Sequence, residues 1–271
     1  MRLMSKKEQK KKIMNKKKLF LAGLLLLLVT SVNAQSLWDR ITGVFSSTTT
    51  IDASDNIVSK TIDLAAFDAL SKSGSIDVVY VQEPGTTRPR VEITGPDNIV
   101  ELVVVEQTGS NVKVHYKPNT NFRLNKKPFR VVAYSSDIRK LSTAGSGDLD
   151  FGNIQTDDFT LSLSGSGDIE GGSIRSTGDV SVSLGGSGDI ELKQVQCFDL
   201  KVSIAGSGDV EVKGINSENV DARIAGSGDI SLAGQTKKAA YGIAGSGDID
   251  ARGLKAEEVS KRKAGSGSIE Y

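Results

Sequence analysis

Histidine and cysteine are almost missing: the 271 residues contain one of each, His115 and Cys197. A single cysteine has no internal partner, which excludes a disulfide framework. Set between Val195-Gln196 and Phe198, it reads as a small buried hydrophobe rather than a reactive thiol. One histidine, with no Cys-His or Ser-His-Asp arrangement around it, leaves little for nucleophilic or general-base catalysis. His115 reads as a surface strand residue. Aromatic residues make up only 5% of the chain. Those in its second half are chiefly Phe151, Phe159, Phe198 and Tyr241, mostly within apolar clusters, which argues against a ladder of rings for stacking sugars. Long hydrophobic runs are lacking too. The longest, Leu19 to Val29, spans eleven residues, too few to cross about 30 Å of hydrocarbon.

That run has another use. It follows the basic stretch Lys16-Lys17-Lys18 and precedes Val32-Asn33-Ala34, the order of a cleavable secretory signal. Residues 1–34 are read as that signal, with 1–13 lying upstream of a second candidate start, Met14. No cysteine lies near the cleavage site, so a lipoprotein anchor is not expected. Beyond it, Leu37, Trp38, Ile41, Val44 and Phe45 fall at helical spacing, either a short amphipathic cap or a membrane-surface anchor within 35–50. Removing the signal changes the charge. The chain holds 34 Lys+Arg and 33 Asp+Glu, but residues 1–34 take nine of the bases and one acid, leaving 25 against 32, a net of −7. Nucleic acid is thereby disfavoured as a partner.

What the sequence has in quantity is glycine, 29 residues, much of it in one repeated motif. Gly-Ser-Gly begins at Gly145, Gly165, Gly186, Gly206, Gly226, Gly245 and Gly265, at intervals of 20, 21, 20, 20, 19 and 20 residues. A period near twenty marks a solenoid whose turns cannot bury their apolar side alone. Alternation says that the turns are strands: Leu200, Val202, Ile204, Gly206, Gly208, Val210 and Val212 share one parity, and neighbouring repeats do the same. Leucine-rich and helical repeats are disfavoured by this β-branched alternation. Stacking the turns about 4.8 Å apart gives a parallel β-helix filled by Val, Ile and Leu. The motif glycines (Gly145, Gly147, Gly165, Gly167, Gly186, Gly188, Gly206, Gly208, Gly226, Gly228, Gly245, Gly247, Gly265, Gly267) fall on the aliphatic face and mark a corner with no room for a side chain. Residues 51–140 read as irregular strands, the first turns or a sheet capping the regular helix of 141–271, and "SKSGSIDVVY" resembles a degraded copy of the motif. At the other end Lys261 and Lys263 take positions that are aliphatic in earlier turns, a terminal guard against edge pairing.

The opposite parity faces water. It carries Asp148, Asp168, Asp189, Asp209, Asp229 and Asp248, with Ser268 in the last copy. Two residues on come Asp150, Glu170, Glu191, Glu211, Ser231, Asp250 and Glu270. Like charges about 4.8 Å apart repel by about 0.9 kcal/mol even in bulk water, so the stack needs an offset. Three are available: backbone N–H donors at the corner, as in Asx turns; hydroxyls of the serine ladder from Ser146 to Ser266; or a hard cation such as Ca²⁺ on the six motif aspartates. No other cofactor is expected.

Enzymatic activity is not expected: the paired acids could imitate a glycosidase dyad, but they recur in every turn, and near-constant repeat length leaves no room for cleft-forming loops. Small outward residues such as Ser162, Ser183, Ser203, Ala205, Ala225, Gly242 and Ala244 make a flat face suited to packing on a protein, an envelope surface or a second copy. "RVVAYSSDIRKLSTAGSGDLDF" followed by recurring "AGSGDI" and "AGSGDV" resembles the exported bacterial family described as putative auto-transporter adhesin, head GIN domain, over about residues 57–271. The resemblance implies a right-handed β-helix in an exported protein of the periplasm, outer-membrane surface or extracellular space, and it brings no catalytic residues. Nothing after Tyr271 could form an outer-membrane barrel, so self-translocation is not expected. The expected role is a binding or structural module presenting a rigid, acidic, small-residue face. A cation-stabilised structural module is the alternative, and an enzyme acting on envelope polysaccharide the third.

Overall fold

The alternation of aliphatic and polar residues dictates strands, and strands of equal period can only bury that aliphatic face by coiling over one another. The computed structural model describes residues 50–271, Thr50–Tyr271 forming one compact unit. The signal placed on 1–34 and the amphipathic segment Leu37–Phe45 lie outside the described residues. Thr50–Tyr271 is a parallel β-helix of about seven turns. Its only helix among the described residues is the short Asp97–Val100.

Each coil has three walls. The first runs into the Gly-Ser-Gly corner, as in Phe159–Gly165, Val180–Leu184 and Asp199–Ile204. The second leaves the corner and bends into the third, as in Ile169–Ser176 and Ile190–Gln196. Later coils fuse these segments into single strands such as Val210–Ile224 and Ile230–Gly245. Equivalent residues pair in parallel register from coil to coil: Leu161 with Val182, Val202, Ala222 and Tyr241 in turn. These five are buried, and each aliphatic member contributes about 1.5–3 kcal/mol by leaving water. Where one coil is bulky its neighbour is small. A Cβ on Gly171 would lie 2.4 Å from the Phe151 ring, which fills that space instead.

The degraded motif is the first coil. Ala69–Gly74 pairs in parallel with Lys140–Gly145, setting Gly74 under Gly145, and Val78 to Tyr80 lie under Leu149 to Phe151. Between these two coils the chain leaves the stack to build a cap. Val103–Thr108 and Asn111–Tyr116 form an antiparallel hairpin whose second strand pairs with Ala69–Gly74. Arg90–Pro96 joins Ile57–Asp63 and Arg130–Ser135 in antiparallel pairs, and Arg130–Ser135 continues in parallel onto Val78–Gln82. The first edge of the solenoid is therefore covered.

The other edge is open. Lys261 and Lys263 take the register of Tyr241 and Ile243 and are exposed, in the last coil of the described residues. Lys261 lies 4.8 Å from the centre of the Tyr271 ring, which in turn packs 6.0 Å from Tyr241.

Candidate functional site: the corner ladder and the outward faces

The corner is built by close approach along the rod. A Cβ on Gly188 would sit 1.9 Å from the carbonyl oxygen of Gly167 in the preceding coil. The excluded side chain would therefore strike the neighbouring main chain rather than the interior. This changes the reason for the glycines: they let coils touch, and only some, such as Gly165 at φ 146°, also occupy the left-handed region. The contact forms hydrogen bonds. The Gly165 carbonyl accepts from the N–H groups of Ser187 and Gly188 at 2.8 and 3.3 Å, and other corners repeat the pattern.

The next residue carries the ladder. The N–H of Asp168 donates to Asp148 Oδ1, that of Asp189 to Asp168, and that of Asp209 to Asp189, each at 2.9 Å. Asp229 and Asp248 continue the series at 2.8 and 2.7 Å. Its foot is Asp77 in the degraded motif, which accepts from the Asp148 N–H at 2.9 Å. Its last rung is the Ser268 N–H on Asp248 at 2.6 Å. The backbone offset is thus present, but between coils rather than as an Asx turn within one. No corner serine hydroxyl donates to a ladder carboxylate among the described residues. Ser268 donates through its N–H as the aspartates do but brings no carboxylate of its own. All seven aspartates from Asp77 to Asp248 remain exposed, each using one oxygen in the ladder. Among the described residues no group of three or more His, Cys, Asp or Glu side chains is arranged to hold a metal ion.

The second acidic row is in register as well, Asp150 beside Glu170, Glu191 and Glu211 in turn. It is not uniformly acidic in effect. Lys213 bridges Glu191 and Glu211 at 2.5 and 3.6 Å, and Arg252 bridges Asp250 and Glu270 at 2.6 and 3.2 Å. Hydrogen bonds from Arg252 hold the Asp250 carboxyl at about 2, and the Lys213 hydrogen bond lowers that of Glu191. The first coils have no such cation. Burial, reinforced by Glu170, Asp148 and Asp77, raises the Asp150 carboxyl. The cations were legible in principle, since Lys213 and Arg252 share the outward parity two residues past the acids.

Beneath the ladder's foot lies Lys72, a residue of interior parity buried to 1% exposure. Its Nζ has no hydrogen-bond partner, nor does the Oγ1 of Thr143, which is in register with it in the next coil. Burial lowers the Lys72 ammonium, against the pull of Asp77 and Asp148.

The remaining candidates resolve plainly. Cys197 is buried and its thiol is pushed up to about 12, chiefly by burial. His115 is a half-buried strand residue, its Nδ1 2.8 Å from the Tyr116 carbonyl oxygen and its Nε2 3.6 Å from Glu106. The small-residue face of the first wall is interrupted, because Arg223 follows Ser203 in register and Lys201 is followed by Asp221. Arg223 grips Asp221 through two hydrogen bonds of 2.9 and 2.7 Å. Around it, small residues including Ala225, Gly242 and Ala244 line a shallow depression of about 750 Å³. Phe198 is 56% exposed, whereas Phe151, Phe159 and Tyr241 are buried.

A stacked, hydrogen-bonded rod with charged outer rows defines a β-helical scaffold. The chain belongs to the family described as putative auto-transporter adhesin, head GIN domain, whose profile matches residues 66–195 and again 180–271. No match was found among curated proteins. Among solved structures it is similar to a putative adhesin from Bacteroides fragilis at 21% identity and TM-score 0.68, covering 81% of this chain and 99% of that one. A putative lipid binding protein from Parabacteroides distasonis is 25% identical with TM-score 0.63, covering 82% and 99%. A putative adhesin from Parabacteroides merdae is 20% identical with TM-score 0.63, covering 82% and 98%. Among the described residues no helix is long and apolar enough to cross a membrane.

Proposed function

We propose that the chain is an exported cell-envelope module, adhesin-like in action, that works by presenting the fixed outer faces of its rod to a partner and catalyses nothing. The carrying observation is the uninterrupted ladder from Asp77 to Ser268. It locks each coil to the next through a side chain at the surface, so the exposed groups keep their spacing without ligand. A preorganised surface binds without the ordering cost that a flexible one meets. The acidic first coils, where Asp148, Asp150 and Glu170 form no ion pair among the described residues, favour a basic or cation-bridged partner surface. Export through residues 1–34 places the rod where such a partner is found.

The test uses the full chain. Cell fractionation should place it in the envelope. Purified protein should be retained by outer-membrane fragments, by phospholipid vesicles or by itself in sedimentation, and Asp168→Asn with Glu170→Gln should weaken retention. Retention by none of these sinks the reading. A melting temperature and binding heat that respond to Ca²⁺ alone favour the cation-stabilised alternative.

A further inference from the structure

The third wall carries a row that the acidic ladder does not explain. Its outward side chains are in register from coil to coil: Gln155, Arg175, Gln196, Asn216, Gln235 and Lys255. All six are exposed, and none of their side chains makes a hydrogen bond or ion pair among the described residues. The contrast with the other walls is chemical. Arg223 and Arg252 are each clamped by a carboxylate two residues away, whereas Arg175 keeps its five N–H donors free. The carboxylate beside it, Asp157, is engaged by Arg139 at 3.3 Å and by the Thr177 hydroxyl at 3.3 Å.

The row is not flat. Gln155 and Arg175 are shared by two adjoining depressions of about 550 and 340 Å³, lined also by the hydroxyls of Thr156, Ser173 and Ser176 and, in the larger, by Asp137 and Asp157, both paired with Arg139. Phe198, two residues beyond Gln196, is 56% exposed. Its N–H bonds the carbonyl of Gly178 in the coil below at 2.8 Å, and that glycine has no side chain to cover the ring.

We infer that the third wall is a binding surface for an acidic polysaccharide chain laid along the rod, its carboxylates on Arg175, its hydroxyls on the flanking amides and one sugar ring against Phe198. This rests on the reading of the chain as a binding module and assigns one face to one ligand class. A guanidinium without a partner takes a carboxylate through two parallel bonds. Amides both donate and accept, as hydroxyls require. Their spacing of about 4.8 Å approaches the advance per sugar of an extended glycan. A protein partner is disfavoured, since the outward positions of this wall are polar in every coil and offer no apolar interface core.

The test is affinity electrophoresis and calorimetry of the full chain with polygalacturonate, and with dextran as the uncharged polymer. Polygalacturonate should bind, more weakly as salt rises, and dextran should not. Arg175→Gln should weaken binding about tenfold, the loss of one charged hydrogen-bonding pair. Arg175→Glu should abolish it, Phe198→Ala should weaken it, and Lys60→Gln on the capping sheet should leave it unchanged. These residues are exposed, so their melting temperatures should match the parent. Equal binding of both polymers, no binding of polygalacturonate, or undiminished binding by Arg175→Glu overturns the inference. If the protein is still retained by envelope fragments or vesicles in those cases, the binding-module reading stands and only this face and ligand fall.

Discussion

The two ends of the rod solve the same problem in opposite ways. At the capped end an antiparallel hairpin and sheet cover the first coil, Lys72 is sealed inside, and Asp150 and Glu170 stand in register without an ion pair among the described residues. At the other end, among the described residues, no strand pairs with the outer edge of Ile249–Gly265 beyond the short Ile269–Glu270, lysines stand where aliphatic residues would, and Arg252 pairs with the outer acids. Covering an edge allows charge to be buried and concentrated; leaving it bare requires charge to be dispersed and paired. The difference teaches that the repeat sets the middle of the rod, while each terminus needs its own chemistry.

The largest effect should come from filling a corner. Gly188→Ala forces a methyl group into the Gly167 carbonyl with coils packed on both sides, and should cost more than about 4 kcal/mol in urea unfolding, a value reserved for severe overpacking. Gly267→Ala makes the same 1.9 Å overlap, with the Gly247 carbonyl oxygen, but in the last coil. That coil can move away, and the cost should be about 1–2 kcal/mol. Equal costs would erase the distinction between interior and open end.

Next is the sealed lysine. Lys72→Met should stabilise the protein by about 1–3 kcal/mol, since it removes a buried, unpartnered ammonium from an apolar coil. Burial lowers this group from 10.5, so the folded chain releases its proton before the unfolded one. The unfolded chain then binds more protons, and stability should climb as pH rises toward that ordinary value. Urea melts from neutral pH upward should show the slope in the parent and lose it in Lys72→Met.

A ladder rung should matter less. Asp189→Ala deprives the Asp209 N–H of its acceptor and should cost about 1 kcal/mol, whereas Asp189→Asn keeps an acceptor and should be close to neutral. The smallest effects are the outer carboxyls, read by NMR titration. Asp250 should titrate near 2 and move upward in Arg252→Ala, while Asp150 should titrate above its usual 3.8. The linkage signs differ accordingly. Asp250 favours the fold above the unfolded carboxylate range and loses that contribution as pH falls toward 2, whereas Asp150 favours it more as pH falls.

Much of this was legible before any coordinates. The Gly-Ser-Gly interval fixed the coil, the parity of Val, Ile and Leu fixed the interior, and "SKSGSIDVVY" pointed to the first coil because it kept one glycine and the aspartate. The partners of Arg90–Pro96 and Asn111–Tyr116 were not legible, because they pair across dozens of residues with no repeat to set the register. Parity gave direction but not neighbours. The aspartates could be placed outside, yet that each is held by the following coil's N–H depends on how closely glycine lets the coils approach. Lys72 sits at an inward position that sequence alone reads as an error, and Phe198 at a bend where parity stops being informative. Lys213 and Arg252 share the outward parity two residues past Glu211 and Asp250, so the sequence itself sets these cations beside the acids they pair with.

Each unit of the middle section brings one donor for the unit before it and one acceptor for the unit after. A twenty-residue duplication within that section would therefore splice in without orphaning any group, lengthening the molecule by about 4.8 Å. Only the two termini could not be copied. Reach is thus a quantity that heredity can adjust in whole steps, like links added to a chain, while every surface along it keeps its pattern.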